Sequence, residues 1–278
     1  MTFPDAPIAR SLETIRAELD EIDEQIHDLV VRRAGLADEV RRAKTDTGAA
    51  ALRPAREAQM LRRMAGLDSG PMQLAQIWRV WRELIMANAR LQFPFTVDTV
   101  AARHDLELWD MGRAHFCFET EMQAHDNSSA ALAHAASRPA RLALLRSDDH
   151  SWWRELARPE VDMRVITALP MVAETNSGAP RAMVIGNVTP APSGSDVTVI
   201  LAEAGAPEMA GGELERLRAS HAGDLAYGLA GETGLLIGWS GFHDRLPAQF
   251  AGEPGGAFDA AIIGHHAAPV GAGAEASS

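Results

Sequence analysis

A long amphipathic helix near the N-terminus is the feature of this sequence that most restricts its fold. Residues 8–47 contain no proline and one glycine, and they are rich in helix-favouring Glu, Arg, Ala and Leu. Ser11 is a candidate N-cap, and a helix over 12–45 would be about 50 Å long. Its apolar stripe recurs at steps of three and four, the spacing of a coiled-coil-like seam. The stripe comprises Leu12, Ile15, Leu19, Ile22, Ile26, Leu29, Arg33, Leu36 and Val40.

Two shorter helices are predicted to follow the long one. The second covers residues 54–66, with Pro54 in its first turn, a place that favours proline. The third covers residues 71–92, begins at Pro71 and ends before Pro94. Two short helices cannot cover the apolar stripe of so long a helix within one chain. We therefore expect a second copy of the chain to cover it, which makes a homodimer.

Two cations in the long helix need an explanation. Arg33 interrupts the apolar stripe, and a guanidinium among apolar neighbours is costly unless it is paired. Lys44 is the only lysine of the chain, and the other 25 basic residues are arginines. It follows Arg33 by 11 residues, so the two side chains differ in direction by only about 20°. Two interpretations stay open: an ion pair of Arg33 with an acidic residue such as Glu57, or a slot that binds an anion.

Polar residues also occur at selected positions of the two shorter helices. Arg56 and Glu57 lie in the first turn of the second helix, where the helix dipole by itself favours a carboxylate but not a guanidinium. Asn88 interrupts the predicted apolar stripe of the third helix, and Gln92 follows one turn later. Amides in a helical core usually have a defined partner, either a ligand or a residue that fixes helix register. The apolar members of that stripe are Leu74, Ile77, Trp81, Leu84 and Leu91.

Three segments in this order, "LETIRAELDEIDEQIHDLVVRRAGLADEVRRAK", "RPAREAQMLRRM" and "IWRVWRELIMANARLQ", resemble the all-helical chorismate mutases over residues 12–92. In that family, three-helix chains form an intertwined homodimer, and each active site takes one arginine from the long helix of the partner. The resemblance implies an isomerase that converts chorismate to prephenate by a [3,3] rearrangement in aromatic amino acid (shikimate pathway) biosynthesis. It implies no cofactor and no metal.

The resemblance also implies a role for each polar residue. Arg16 matches the arginine donated across the dimer, and its direction, about 260° from Arg33 around the helix, keeps it out of the slot of its own chain. Arg33 and Lys44 match the cations that bind substrate carboxylate, with the lysine also touching the ether oxygen. Arg53 replaces an aspartate found in some members, which affects the contact with the substrate hydroxyl.

The remaining matches complete two sets of residues. Glu57 corresponds to the glutamate that meets the substrate hydroxyl, Asn88 to a frequent serine, and Gln92 to the glutamine that donates to the ether oxygen. The substrate-binding set is Arg16, Arg33, Lys44, Arg56, Glu57, Asn88 and Gln92. The catalytic set within it is Arg33, Lys44, Glu57 and Gln92.

This set of side chains suits the reaction that the resemblance implies. Chorismate is a dianion, and its rearrangement requires no acid, base or nucleophile. The protein must hold the folded conformer and stabilise negative charge that grows on the ether oxygen. A compact ammonium such as that of Lys44 is a point donor to that oxygen, whereas a guanidinium is a wide planar fork.

Charge and composition exclude several functions for the rest of the chain. The net charge of −12 arises entirely after residue 95, and an acidic half argues against a nucleic-acid partner. No run of 18 apolar residues and no apolar leader occur, so neither a membrane span nor a secretory signal is expected. The single cysteine, Cys117, fits a reducing cytoplasm.

Beyond Pro94, short apolar runs alternate with helical stretches, which predicts an α/β or α+β region. The stretch "RAMVIGNVTPAPSGSDVTVILAEA" weakly resembles the junction between a prephenate dehydratase domain and its regulatory ACT domain. The Thr-Arg-Phe motif of dehydratases is replaced by Pro180-Arg181-Ala182, so the resemblance implies no dehydratase activity. The expected organisation is a chorismate mutase domain at 1–94, a degenerate dehydratase-like lobe at 95–188, an ACT-like unit at 189–266 and a disordered tail at 267–278.

Three other functions compete with chorismate mutase. An isochorismate-pyruvate lyase shares the helical fold and the set of cations. A non-catalytic helical dimerisation module could serve a C-terminal sensor. A fully bifunctional enzyme would in addition convert prephenate to phenylpyruvate. The sequence leaves open any regulation by an aromatic amino acid and any assembly beyond a dimer.

Overall fold

The computed structural model describes residues 10–43, 52–101, 106–138, 140–173, 178–203, 207–232, 234–250 and 259–271. The chain divides into two compact units, residues 1–49 and residues 50–278. Within the described ranges, no helix combines the length and apolar character needed to cross a bilayer. The helices are α1 Leu12–Ala43, α2 Pro54–Ala65, α3 Leu74–Gln92, α4 Glu107–Phe116, α5 Ser128–Ala136, α6 Trp153–Ala157 and α7 Pro207–Ser220. The strands are β1 Thr96–Val100, β2 Glu121–His125, β3 Arg141–Arg146, β4 Arg164–Leu169, β5 Val172–Ala173, β6 Ala182–Gly186, β7 Asp196–Glu203, β8 Leu225–Ala230, β9 Gly234–Ser240, β10 Asp259–Ala267 and β11 Val270–Gly271.

The first unit contains α1, a single helix of 32 residues. Ser11 caps it, because its Oγ accepts a hydrogen bond from the backbone N–H of Thr14 at 3.1 Å, as predicted. The eight apolar side chains of the stripe are 39% to 62% exposed. This long apolar face is therefore open to solvent in the isolated chain.

The second unit begins with α2 and α3. α2 buries one face, formed by Ala58, Leu61 and Met64, and starts at Pro54 as predicted. The predicted start of α3 at Pro71 is wrong. The helix begins three residues later because the side-chain oxygen of Gln76 accepts a hydrogen bond from the backbone N–H of Gln73 at 2.9 Å and fixes the first turn there.

The prediction of which face of α3 is buried is also wrong, because most of the buried positions are shifted by about one residue from the predicted stripe. Leu91, a member of the predicted stripe, is 79% exposed. α3 packs against α2 and α4, and this packing selects a face rotated from the predicted one. The residues that α3 buries are Leu74, Trp78, Arg82, Met86 and Ala89.

A nine-stranded mixed sheet forms the rest of the second unit, in the order β2-β1-β3-β6-β4-β10-β7-β9-β8. β1 runs parallel to β2 and β3, and β6 runs antiparallel to β3 and β4. α4 and α5 pack on β1 and β3, while α2 packs on β10 and β11. The predicted α/β character of the C-terminal region is confirmed.

The sheet continues across the proposed boundary at residue 189. β4 and β10 come from opposite sides of that boundary and pair where Gly264 meets Val165. A Cβ atom at Gly264 would lie 2.3 Å from the Val165 carbonyl oxygen, so only glycine permits this approach. The division into a lobe at 95–188 and a unit at 189–266 stays a prediction.

β7 to β10 alone form a four-stranded arrangement in the order β10-β7-β9-β8, with α7 between β7 and β8. This is the strand order of a split βαβ unit. An ACT-like identity for it stays a prediction. The prediction that disorder begins at residue 267 places the tail too early. Ala267 ends β10, and Val270 is buried where β11 pairs with β5. Residues 272–278 lie outside the described ranges.

The apolar run "HFCFE" at residues 115–119 is divided between α4, which continues to Phe116, and the turn that begins at Cys117. His115 and Phe116 belong to the buried face of α4, with Leu108 and Gly112. Cys117 has a positive φ of 64°, which stops the helix, and its thiol is buried.

Candidate functional site

The first unit carries three of the predicted site residues. Arg16 is exposed on α1, and Arg33 is half-buried on the same helix. Partial burial removes some of the hydration of the Arg33 guanidinium and lowers its pKa below the ordinary value. Lys44 lies outside the described residues, so its prediction is untested.

The second unit carries the other four. Arg56 is exposed at the start of α2, next to Glu57, which is buried. Asn88 is half-buried on α3, and its side-chain amide donates a hydrogen bond to the Leu84 carbonyl oxygen at 2.7 Å. Gln92, at the end of α3, is half-buried.

A buried ion pair that the sequence analysis missed holds Glu57. The Glu57 carboxylate contacts Arg82 on α3 through its Oε2 atom. Both side chains are buried, at 7% and 2% exposure. The Nε atom of Arg82 donates to the His115 carbonyl oxygen of α4 at 2.8 Å, and the guanidinium lies 5.8 Å from the centre of the Trp78 ring. Arg82 of α3 thus contacts both α2 and α4.

This pair determines the electrostatics at the start of α2. A buried carboxylate without a counter-ion is strongly unfavourable, and Arg82 supplies the counter-ion for Glu57. The Nη2 atom of Arg82 is buried and has no hydrogen-bond partner among the residues that the structure describes. A spacing of four residues, from Trp78 through Arg82 to Met86, is the sequence signal that could have placed this arginine on the buried face of α3.

A second buried charge network lies in the sheet, away from the predicted site. The carboxylate of Asp98 on β1 accepts two hydrogen bonds from Arg141 at 2.8 and 2.9 Å. The Oδ1 atom also lies 2.6 Å from a ring nitrogen of His125 and 2.8 Å from one of His134. Burial alone would raise the pKa of Asp98, but the bonds from Arg141, His125 and His134 outweigh it and hold that pKa below its usual value.

The same network has a metal-ligand composition. Ligand atoms of Asp98, His125 and His134 lie within 4.8 Å of one another, as a metal site requires. Arg141 already uses both carboxylate oxygens, so the charge of Asp98 is neutralised without an ion. The absence of a metal, which the sequence analysis expected, stays a prediction.

Comparison with known proteins finds sequence similarity to chorismate mutases in the N-terminal region. The family model of chorismate mutase type II matches residues 15–93. A bifunctional chorismate mutase/prephenate dehydratase of Stutzerimonas stutzeri is 35% identical over 94 residues, which are 32% of this chain and 26% of that protein. A protein of the same description from Pseudomonas aeruginosa is 34% identical over 91 residues, covering 31% of this chain and 25% of that protein. The chain thus spans about a quarter of the length of these relatives.

One solved structure shows a distant likeness to this chain. The X-ray structure of prephenate dehydratase from Streptococcus mutans covers 62% of this chain and 97% of its own, with a TM-score of 0.40 and 13% identity. All seven predicted site residues, from Arg16 to Gln92, fall within the range matched by the family model. Residues 15–93 therefore match the family of chorismate mutase type II, which the sequence resemblance also indicated.

Proposed function

We propose that this protein is a chorismate mutase that converts chorismate to prephenate in aromatic amino acid biosynthesis, in the cytoplasm. The observation that carries the proposal is the family match over residues 15–93, which includes every residue of the proposed site. The reaction is intramolecular, so the protein has to hold one conformer and stabilise charge in the transition state. Cations and neutral donors suffice for that task, and no cofactor is required.

Arg33, Lys44 and Arg56 bind the two carboxylates of the substrate in this proposal. Lys44 and Gln92 donate to the ether oxygen, where negative charge develops. Glu57 accepts a hydrogen bond from the substrate hydroxyl, and Asn88 assists in binding. The ion pair of Glu57 with Arg82 supports this assignment, because an unpaired carboxylate would repel a dianionic substrate.

The proposal includes a homodimer in which Arg16 enters the site of the partner chain. Eight apolar side chains of α1 are exposed, and a second copy of the helix would bury them. Arg16 is exposed, whereas Arg33 on the same helix is half-buried. Arg16 also points away from Arg33, by about 260° around the helix, so it can serve only another chain's slot.

The test is an assay of chorismate loss by absorbance with the purified full chain, beside its Lys44→Ala variant. We expect turnover by the wild type, prephenate as product, and loss of at least about 100-fold in the variant. A parallel assay measures pyruvate released from isochorismate. Pyruvate release without prephenate formation would replace the proposal by the lyase, and activity in neither assay would leave a dimerisation module.

We further propose that dehydratase activity is lacking. Pro180 stands where dehydratases have the threonine of the Thr-Arg-Phe motif, and proline offers no hydroxyl. The curated relatives are named for both activities, so the assay is informative: prephenate is added at neutral pH, and phenylpyruvate is followed. We expect no formation above the uncatalysed rate. Formation proportional to protein concentration would make the enzyme bifunctional.

A further inference from the structure

A cavity of about 820 Å³ lies in the second unit, near the proposed boundary at residue 189. Its wall combines residues at the end of β4 and just before β6 with residues at the start of β7, the end of β9 and the end of β10. The volume falls in the range of roughly 300–1,000 Å³ that is usual for small-molecule sites. Much of its lining is apolar, including Ala168, Pro170, Pro180, Pro192, Val197 and Phe242.

Tyr227 and His266 supply a buried polar group in this lining. Tyr227 on β8 is 8% exposed and His266 on β10 is 3% exposed. The Tyr227 hydroxyl oxygen lies 2.9 Å from Nε2 of His266, and the two rings are stacked. Neither residue belongs to the proposed chorismate mutase site, so the pair requires its own explanation.

The protonation of this pair follows from its partners. Nδ1 of His266 lies 2.8 Å from the Ala267 carbonyl oxygen, which can only accept, so Nδ1 carries the proton. Burial lowers the pKa of His266 to about 4, and the imidazole is neutral near pH 7. Nε2 then has no proton, and the Tyr227 O–H donates to it. Burial raises the pKa of Tyr227, which keeps the phenol protonated.

The hydroxyl oxygen of Tyr227 is therefore an acceptor with its own proton already committed. Within the described residues, the bond to His266 is the hydrogen bond of this hydroxyl. A ligand can engage the oxygen only by donating an N–H or O–H group. The pair thus distinguishes molecules with a donor from isosteres without one.

Charged residues around the cavity restrict the ligand further. Asp196 lines it, and its carboxylate accepts hydrogen bonds from the backbone N–H groups of Ser193 and Gly194 at 2.8 and 3.1 Å. Arg181, a cation of the lining, is paired with Glu107 at 2.9 Å. Arg62, whose guanidinium donates to the Ser193 carbonyl oxygen, counters the charge of Asp196. Glu107 likewise counters that of Arg181. Because the charges in the wall are balanced, they favour an uncharged ligand over an ionic one.

We propose that this cavity binds a small, uncharged, largely apolar molecule that donates one hydrogen bond to the Tyr227 oxygen. The apolar lining accounts for the body of the ligand, and the Tyr227–His266 pair accounts for its single polar group. The site is separate from the proposed chorismate mutase site and independent of that function. It gives the C-terminal region a binding role that does not require the dehydratase threonine.

The experiment compares two probes of nearly equal shape on the full chain. Indole carries one N–H donor, and benzothiophene replaces that group by sulfur. Calorimetric titration should show saturable binding of indole at one site per chain, and at least about tenfold weaker binding of benzothiophene, because the Tyr227 acceptor is left without a partner. Tyr227→Phe should reduce indole affinity to the level of benzothiophene and leave benzothiophene unchanged.

A second variant keeps the test valid if Tyr227→Phe does not fold. Ala226 lines the cavity and is exposed on β8, so Ala226→Trp should fill the site and abolish indole binding without loss of the fold. Ala230→Trp, at another exposed position of β8, is the matched control and should bind indole as the wild type does. Circular dichroism checks the fold of all variants.

Three results would overturn the proposal. The first is equal affinity for indole and benzothiophene, and the second is indole binding that survives Ala226→Trp. The third is prephenate binding tighter than indole and dependent on Arg181, since that outcome makes the cavity an anion site. None of these results bears on chorismate turnover, so failure here and failure of the proposed mutase can be told apart.

Discussion

Lys44 is the residue on which the proposed chemistry depends most. An ammonium concentrates one charge on one nitrogen, whereas a guanidinium spreads its charge over a planar fork. At an ether oxygen that gains negative charge, this difference in shape decides whether the donor reaches the reacting atom. The other 25 basic residues of the chain are arginines. If position 44 needed only a positive charge, an arginine would be expected there as well.

Lys44→Arg should therefore lower kcat for chorismate by at least about 100-fold, the usual cost of losing one donor aimed at a developing oxyanion. The fold should be unchanged, because the positive charge is retained. Absorbance loss of chorismate measures the rate, and circular dichroism measures the fold. Arg42→Lys, at an exposed position of α1 two residues earlier, is the control and should be fully active. A Lys44→Arg enzyme with wild-type kcat would contradict the role given to the lysine.

Asp98 provides a test of a buried residue outside the proposed site. Its pKa is held below that of an unfolded aspartate by Arg141 and two histidines, despite its burial. The carboxylate therefore stabilises the fold at every pH above about 3.9, the ordinary value, and this contribution is lost as the pH falls through the lowered pKa.

Asp98→Asn should cost about 1–3 kcal/mol in unfolding free energy at pH 7, because the half-buried guanidinium of Arg141 loses its counter-ion. The cost should begin to shrink below about pH 3.9, where Asp98 of the unfolded wild type takes up a proton, and should vanish as the pH falls through the lowered pKa of the folded protein. Urea unfolding between pH 2 and pH 7 measures both effects. Asp126→Asn, at an exposed position, is the control. A cost that stays constant with pH would show that the carboxylate charge is not what stabilises this network.

At the scale of secondary-structure elements, α3 explains what sequence patterns can and cannot provide. Its existence and its end at Gln92 follow from composition and from Pro94. Its buried face does not, because tryptophans at positions 78 and 81 support two stripes about 60° apart by helical geometry, and only the partners α2 and α4 decide between them. Arg82 lies on the stripe that packing selects, and was missed for that reason.

The Glu57–Arg82 pair links α2 to α3, and a double-mutant cycle can separate its effects. Arg82→Met alone should cost about 3–5 kcal/mol, because Glu57 stays buried without a counter-ion. The pair of changes Glu57→Gln and Arg82→Met together should cost less than Arg82→Met alone. Urea unfolding measures the four proteins of the cycle. Additive costs would mean that the two side chains do not interact in solution.

At the scale of the whole molecule, the sequence predicts the change from helices to a mixed α/β region at Pro94 but not the continuity of the sheet. β4 and β10 are about 100 residues apart, and no local pattern signals that they pair. Gly264 permits the contact, yet a single glycine in a strand is equally common at bulges and tight bends. The same limit applies to the Tyr227–His266 pair, whose members meet only because β8 and β10 join one sheet.

The proposed assembly is the other property that belongs to the whole molecule. α1 exposes its apolar stripe, and the proposed site is complete only when Arg16 of one chain joins Arg33 and Lys44 of another. Two inactive variants that lack different residues of the site should therefore form active mixed dimers. An Arg16→Ala chain keeps its own Lys44, and a Lys44→Ala chain can supply the missing Arg16.

The most direct test mixes these two variants after unfolding and joint refolding, and measures chorismate turnover. With random association, half of the dimers are mixed and each has one complete site, so about a quarter of wild-type activity should return, whereas each variant alone should be nearly inactive. Mixing without refolding should restore less, since chains must exchange first. If the joint refolding yields no more than the sum of the separate variants while the dimers form, each site is built from a single chain, and the shared cationic site proposed for this protein is wrong.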